Sequence, residues 1–287
     1  MERGRILKGI GGFYYVLSDG GALFECKARG RFRNDRETPM VGDYVHFENG
    51  LLLDIAQRKN ALVRPPVANV DQLIVVLSLS RPKPDLLLAD KLLIAAMRLR
   101  ISPLIVLSKL DEADADTLAA CKLDYGGAFP VLPLSVVTGE GLEALKARLA
   151  GKTTCLAGQS AVGKTSLVNA LLPNLALETG DLSSRTSRGK HTTRRAELIS
   201  AFGGYVVDTP GFSLFDADTL DQEALDQCYP EFGSAPEDCR FAACSHIAEP
   251  DCAVKKLVES GGMSPARYER YVQISKDFTD RRKHRYD

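Results

Sequence analysis

Gly158-Gln159-Ser160-Ala161-Val162-Gly163-Lys164-Thr165 decides the reading of this chain. Before it, Thr153-Thr154-Cys155-Leu156-Ala157 is a short apolar run with strand character. After it, Ser166 to Leu172 has helical spacing and stops at Pro173. Strand, glycine-rich turn and helix in that order make a phosphate-binding loop. Backbone N–H groups curl around phosphate oxygens where a side chain would intrude. The helix N-terminus adds partial positive charge aimed at the same anion. Gly158, Gln159, Ser160, Ala161, Val162, Gly163, Lys164, Thr165 and Ser166 are therefore expected in a nucleotide site. Lys164 is expected to reach the β- and γ-phosphates as a catalytic cation, and the Thr165 hydroxyl to ligate Mg²⁺.

The loop says nucleotide, and an earlier segment says guanine. Ile101 to Leu107 reads as a buried parallel strand, and Ser108-Lys109-Leu110-Asp111 stands at its C-terminal end. A carboxylate there accepts from guanine N1–H and the exocyclic amine. Adenine offers an acceptor at N1 and no amine, which leaves the carboxylate unpaired. Asp111 is thus the discriminating residue, with the Lys109 stem packing along the base. Ser108 stands where such motifs usually carry Asn. The next strand, Val131 to Leu134, leads to Ser135-Val136-Val137. That segment fits a backbone contact to guanine O6 loosely, and a plain strand–helix loop fits it as well.

The elements expected after a phosphate loop are present. Arg185 to Arg195 is basic and without apolar period, and it reads as a mobile loop. Thr192 or Thr193 within it is a candidate Mg²⁺ ligand. Tyr205-Val206-Val207 reads as a strand ending in Asp208-Thr209-Pro210-Gly211. Asp208 is expected to hold Mg²⁺ through water, and the Gly211 N–H to meet the γ-phosphate during catalysis. Many GTPases follow that glycine with a glutamine that orients the attacking water. This chain has Phe212, which leaves His191 as the nearby catalytic candidate. The guanine segment precedes the phosphate loop, so the motif order is that of a circularly permuted GTPase.

A chain of 287 residues accommodates several domains with real cores. The formal net charge is zero, which gives no whole-molecule attraction to nucleic acid. Basic residues cluster locally at Arg29 to Arg36, in Arg185 to Arg195, and at Arg281 to Arg285, a distribution that suits an RNA partner. Met1-Glu2-Arg3-Gly4-Arg5 enters a strand pattern with no secretory leader, and the apolar run Leu73 to Leu79 is too short to span a bilayer. A cytoplasmic chain without a membrane partner is expected. Cys26, Cys121 and Cys155 sit singly in strand- or helix-like surroundings as small core residues. Cys239, Cys244, His246 and Cys252 crowd one loop-rich stretch. Three thiolates and an imidazole are what a closed structural Zn²⁺ site takes.

Residues 5–64 alternate short strands and turns, as in a small OB-type barrel. From Val70 strands and helices alternate to about Phe215, predicting a parallel sheet. Ser264-Pro265 opens a long last helix with Tyr268, Tyr271, Val272 and Ile274 to Phe278 on its packing face. The expected organisation is an all-β OB-fold domain (1–64), a central α/β P-loop domain (65–215) and a mainly helical zinc-binding domain (216–287).

These segments together resemble the ribosome small-subunit-dependent GTPase family RsgA, also called YjeQ. The likeness is carried by Ala68-Asn69-Val70-Asp71-Gln72, Ser108 to Asp111, Gly158 to Thr165, Gly189-Lys190-His191-Thr192-Thr193, Asp208 to Gly211 and the cysteine–histidine cluster. It covers nearly the whole chain, and Ser108 is its one departure. The resemblance implies a monomer that hydrolyses GTP to GDP under stimulation by the small ribosomal subunit, late in subunit assembly. It also implies that the barrel and the zinc domain contact ribosomal RNA. Two rival readings are a P-loop ATPase or kinase with an RNA-binding appendage, and an RNA chaperone with a vestigial nucleotide site. Asp111 speaks against the first, and Lys164 with Thr165 against the second.

Overall fold

The computed structural model describes residues 1–30, 32, 38–63, 65–173, 196–208 and 222–283. Along the chain these form strands β1 (Glu2–Ile10), β2 (Phe13–Ser18), β3 (Leu23–Ala28), β4 (Tyr44–Glu48), β5 (Leu51–Ile55), β6 (Ala61–Leu62), β7 (Val67–Ala68) and β8 (Gln72–Ser78). Helix α1 (Leu86–Arg98), β9 (Ser102–Ser108), α2 (Ala115–Tyr125), β10 (Val131–Pro133) and α3 (Leu142–Leu149) follow. Then come β11 (Thr153–Ala157), α4 (Lys164–Leu171), β12 (Glu197–Ala201) and β13 (Gly204–Asp208). Helices α5 (Gln222–Asp226), α6 (Ala253–Glu259) and α7 (Pro265–Lys283) complete the described elements.

The chain divides into two compact units, and neither is one continuous segment. The first comprises Met1–Ile74, Leu142–Ala157 and Lys164–Leu214; the second comprises Val75–Gly141, Gly158–Gly163 and Phe215–Asp287.

In the first unit, β1 pairs antiparallel with both β2 and β4, β2 pairs with β3, and β3 runs parallel to β5, which returns to β4. The ring closes, so no strand presents a free edge. Ile6, Val16, Cys26, Val45, Phe47 and Leu52 fill its centre. Val45 and Phe47 on β4 show the period of two expected of a pleat with one buried face. Burying each such side chain is worth about 1.5–3 kcal/mol. This is the OB-type barrel expected from the sequence.

Beyond the barrel, β11 pairs parallel with β13, as strand–helix alternation predicts. Strand β12 is an addition that the alternation did not foresee. It pairs antiparallel with β13 through a tight turn at Phe202 (φ 52°) and Gly203 (φ 70°). Successive positive φ values match the twist of a two-residue hairpin. Strand β12 also meets β1 at Lys8↔Glu197, where the two side chains pair at 2.8 Å.

In the second unit, β9 and β10 are parallel. Helix α1 begins where the Asp85 carboxylate accepts from Leu88 N at 2.9 Å, and α2 where Asp114 accepts from Thr117 N at 3.3 Å. Helix α7 presents the predicted face: Tyr271, Ile274 and Phe278 are buried with Leu225, Tyr229, Phe232, Val254 and Ile94 of α1. Cys26, Cys121 and Cys155 are buried as predicted, while Cys228, which the sequence reading left unassigned, joins the α7 core.

Candidate functional site

Strand β11 is wholly buried, and its last residue delivers the chain to Gly158. Gly158 has φ 139°, and a Cβ there would lie 2.3 Å from the Val76 carbonyl oxygen. No other residue fits both the backbone angle and the space. Gly163 has φ 94° and nothing within 4 Å of a would-be Cβ, so the turn stays open just before α4 begins at Lys164. Ala161 is also left-handed (φ 63°), a strained conformation for a non-glycine residue of the kind that gathers at ligand-binding turns. Burial lowers the pKa of the Lys164 ammonium, leaving a partly desolvated cation that an anion would relieve. Thr165 follows, half-buried in the first turn of α4. Val162 and Leu167 anchor the two ends of the turn in the core.

The guanine segment meets the phosphate loop directly. Ser108 ends β9, buried, and its Oγ donates to the Val162 carbonyl at 2.6 Å, with Leu77 O at 3.1 Å as the alternative acceptor. Lys109 is left-handed (φ 60°), which turns its side chain back across the loop. Its Nζ donates to Ala161 O at 3.2 Å and to Arg81 O. Ser108 in the Asn position therefore keeps a tie to the phosphate loop.

Asp111 is exposed, on the short turn Leu110–Glu112. One carboxylate oxygen accepts from Ser135 Oγ, and Ser135 is fully buried. The Ser135 hydroxyl oxygen in turn accepts from Val137 N and Thr138 N, both at 3.1 Å. Ser135 thus orients the carboxylate that faces solvent, a role its sequence position alone did not specify. His191, Thr192, Thr193 and Gly211 lie outside the described residues, as does the side chain of Asp208 at the end of β13.

The second cluster lies in the C-terminal module. Cys239, Cys244, His246 and Cys252 place their ligand atoms within 4.8 Å of one another. Cys239 Sγ is 3.9 Å from Cys252 Sγ, and His246 Nδ1 is 3.4 Å from both sulfurs. A tetrahedron with bonds of about 2.3 Å to sulfur and about 2.0 Å to nitrogen has edges of roughly 3.8 and 3.5 Å. The donor set fits a four-coordinate zinc-type ion. Burial alone would raise the Cys239 thiol, but the N–H groups of Ala253 and Val254 at the start of α6 and the neighbouring thiols bring it below its ordinary value.

The sequence reading missed what holds this cluster. His246 Nε2 lies 3.1 Å from Asp226 Oδ2, which leaves Nδ1 free to face the sulfurs. Burial lowers the imidazole's pKa, yet Asp226 and Cys252 together lift it to about 9, the mark of surroundings that favour a cation. Tyr271 Oη reaches Asp226 Oδ1 at 3.0 Å, and Tyr268 Oη donates to His246 O at 2.6 Å. The Glu249 carboxylate accepts from Ser245 N and Oγ, Ile247 N and Ala248 N, at 2.7–3.1 Å, and so shapes the ligand loop. Among the described residues, no helix is long and apolar enough to cross a membrane.

Known proteins share this arrangement. The family profile for the RsgA GTPase matches residues 55–218, and that for the RsgA N-terminal domain matches residues 3–51. A Geobacillus thermodenitrificans protein named small ribosomal subunit biogenesis GTPase RsgA is 45% identical over 98% of this chain and 99% of its own length. A Bacillus anthracis protein of the same name is 43% identical over the same shares. The crystal structure of YjeQ from Thermotoga maritima matches with a TM-score of 0.85 at 35% identity, covering 97% of this chain and 98% of that one. The structure of YloQ, a circularly permuted GTPase, matches at 0.81 and 36% identity, covering 98% and 96%. With the segment Ser108 to Asp111 ahead of the glycine-rich loop Gly158 to Thr165 and its homology running from end to end, the chain belongs to the RsgA GTPase family and is a GTP-hydrolysing enzyme.

Proposed function

We propose that this enzyme hydrolyses GTP when stimulated by the small ribosomal subunit and acts late in that subunit's maturation, as a cytoplasmic monomer. The observation that carries the reading is the linkage of Asp111, Ser108 and Lys109 to one another's loops. The base-reading carboxylate is held by Ser135, while Ser108 and Lys109, earlier in the same turn, grip the phosphate loop. The names of the relatives supply the ribosomal side of the proposal.

In this reading residues 1–64 form the RNA-facing barrel, 65–215 the GTPase domain, and 216–287 the zinc module. Asp111 accepts from guanine N1–H and the 2-amine. Gly158 to Gly163 surround the phosphates with N–H groups, and Lys164 neutralises charge on the β- and γ-oxygens. Thr165, Asp208 and one of Thr192 and Thr193 would hold Mg²⁺, which when bound spreads the charge developing on the transferred phosphoryl group. Gly211 N–H meets the γ-phosphate. With Phe212 unable to orient water, His191 does so when the subunit is bound. Cys239, Cys244, His246 and Cys252 would hold one Zn²⁺ whose role is to fold a module with few strands and helices of its own.

The test is GTP and ATP turnover with and without purified small subunits. Large stimulation with GTP alone is expected, and it is abolished in His191→Ala with GTP affinity intact. Absence of stimulation, or equal use of ATP, overturns the reading. Stimulation surviving in His191→Ala assigns the water to another group.

A further inference from the structure

Arg5 is a buried cation held by carbonyl, hydroxyl and aromatic groups. It lies in β1, 7% exposed, and among the described residues no carboxylate pairs with it. Its guanidinium donates to Gly42 O (Nε, 3.2 Å), to Thr153 Oγ1 (Nη1, 2.9 Å) and to Asn69 O (Nη2, 3.1 Å). Its guanidinium carbon lies over two rings, 4.9 Å from the centroid of Tyr44 and 4.8 Å from that of Tyr205. A buried charge without a counter-ion is held at a cost that carbonyl dipoles and aromatic faces only offset. An apolar side chain would pack such a position more cheaply, so the fork geometry of the guanidinium is what the site uses.

What the fork joins is specific. Tyr44 is the cross-strand partner of Arg5 within the barrel. Thr153 and Tyr205 are cross-strand partners of each other, at the first turns of β11 and β13. Strand β11 runs from Thr153 straight into Gly158 and the phosphate loop. Strand β13 runs from Tyr205 to Asp208 and the segment that meets the γ-phosphate. Asp71 holds the same root: its N–H donates to Thr153 O at 2.9 Å, and its carboxylate accepts from Thr153 N at 2.8 Å. Asn69 is left-handed (φ 57°) and shares the Gly42 carbonyl with Arg5. One guanidinium thus touches the barrel, the connecting segment and the roots of both strands that carry phosphate-binding groups.

We infer that Arg5 is a positioning residue for stimulated hydrolysis: it transmits displacement of the barrel to the roots of β11 and β13, and through them to the phosphate-binding segments. The inference rests on the proposal that the small subunit stimulates this enzyme. It adds that the barrel's load reaches the nucleotide through the Arg5 side chain as well as through the chain connection at residues 56–70 and the β1–β12 pairing at Lys8↔Glu197. Arg5 acts at Thr153, five residues ahead of Gly158, and not on the phosphate loop itself, so intrinsic hydrolysis should not need it.

The test compares wild type, Arg5→Met and Thr153→Val as full chains. Met keeps the apolar stem and removes the fork; Val keeps the shape of Thr153 and removes one acceptor. Four quantities are measured: intrinsic kcat, GDP affinity, the concentration of small subunits giving half-stimulation, and stimulated kcat. Intrinsic kcat, GDP affinity and half-stimulating concentration should stay within about twofold of wild type. Stimulated kcat should fall at least tenfold in Arg5→Met and about threefold in Thr153→Val. Full stimulation in both variants overturns the inference, and so does a parallel fall of intrinsic and stimulated rates with a lowered Tm, which would mark Arg5 as purely structural. A wild type that subunits do not stimulate defeats the proposed function instead, and is seen before any variant is made.

Discussion

Arg267 Nη1 donates to Asp90 Oδ1 at 2.6 Å, with 1% and 0% of the two side chains exposed. The pair joins α7 to α1 and is the centre of a buried network. Arg270 pairs with Asp90 at 2.6 Å and with Asp124 at 2.9 Å, Arg267 also reaches Glu231, and Tyr125 Oη meets Asp90 at 2.7 Å. Burial opposes the charge on Arg270, and Asp90, Tyr125 and Asp124 together more than offset it, so the guanidinium is held above its ordinary value. The Arg267 guanidinium lies over the rings of Tyr125 and Tyr229, at 5.0 and 4.9 Å. Removing one partner from such a network strands the others without water. Asp90→Ala should lower stability by about 3–5 kcal/mol in urea unfolding monitored on the second unit. A loss below about 1 kcal/mol would show that apolar packing of α7 suffices alone.

Guanine choice should follow Asp111. Asp111→Asn replaces an acceptor pair with an amide, which suits xanthine's 2-oxo group better than guanine's 2-amine. Competition binding should show preference moving from GTP to xanthosine triphosphate. Unchanged preference would remove Asp111 from the base site.

Ser108→Ala leaves the Val162 carbonyl without this donor in a buried place. A lost hydrogen bond of this kind costs about 1–2 kcal/mol, or roughly tenfold in GDP affinity if the loop must be held to bind. Calorimetric titration of GDP measures it. An unchanged affinity would mean that Lys109 alone holds the loop.

Metal retention should depend on a residue that is not a ligand. Asp226→Asn loses the charge that orients His246, and such partners typically contribute 10–100-fold to metal affinity. Zinc competition with a chromophoric chelator should show that loss, while Cys244→Ala should abolish stoichiometric binding. Full zinc affinity in Asp226→Asn would contradict the orientation argument.

Acid should loosen the ligand loop through Glu249. Burial pushes this carboxyl up, but the hydrogen bonds from Ser245 and Ile247 together outweigh it and bring it down from 4.5 to about 2. A depressed folded-state pKa gives stability that is fully present above the unfolded value and is lost as pH falls toward the folded value. The stability gap between wild type and Glu249→Gln should therefore be constant above about pH 4.5 and narrow between there and about pH 2. Thermal melts of both proteins across that window check it; a gap that widens on acidification contradicts the assignment.

Contiguous residues were legible from the sequence alone. The glycine-rich strand–turn–helix, the barrel's alternating strands and the cysteine–histidine cluster each declare themselves within a short window, because local backbone geometry and ligand chemistry set which residue types can stand there. The order of Ser108 to Asp111 and Gly158 to Thr165 also gave the permutation. Three things were decided only by tertiary structure. Strand β12 formed because β1 and β13 both offered it a partner, which its own polar pattern did not announce. Asp226 became the partner of His246, and Arg267 that of Asp90, across separations that no spacing rule records. Arg5 became the joint between the barrel and the phosphate-carrying strands, and read along the chain it is one arginine among several near the N-terminus. The physical reason is common to all three. A charged or polar side chain finds its partner through burial, where leaving it unpaired costs most, and burial is a property of the assembled fold rather than of any stretch of sequence.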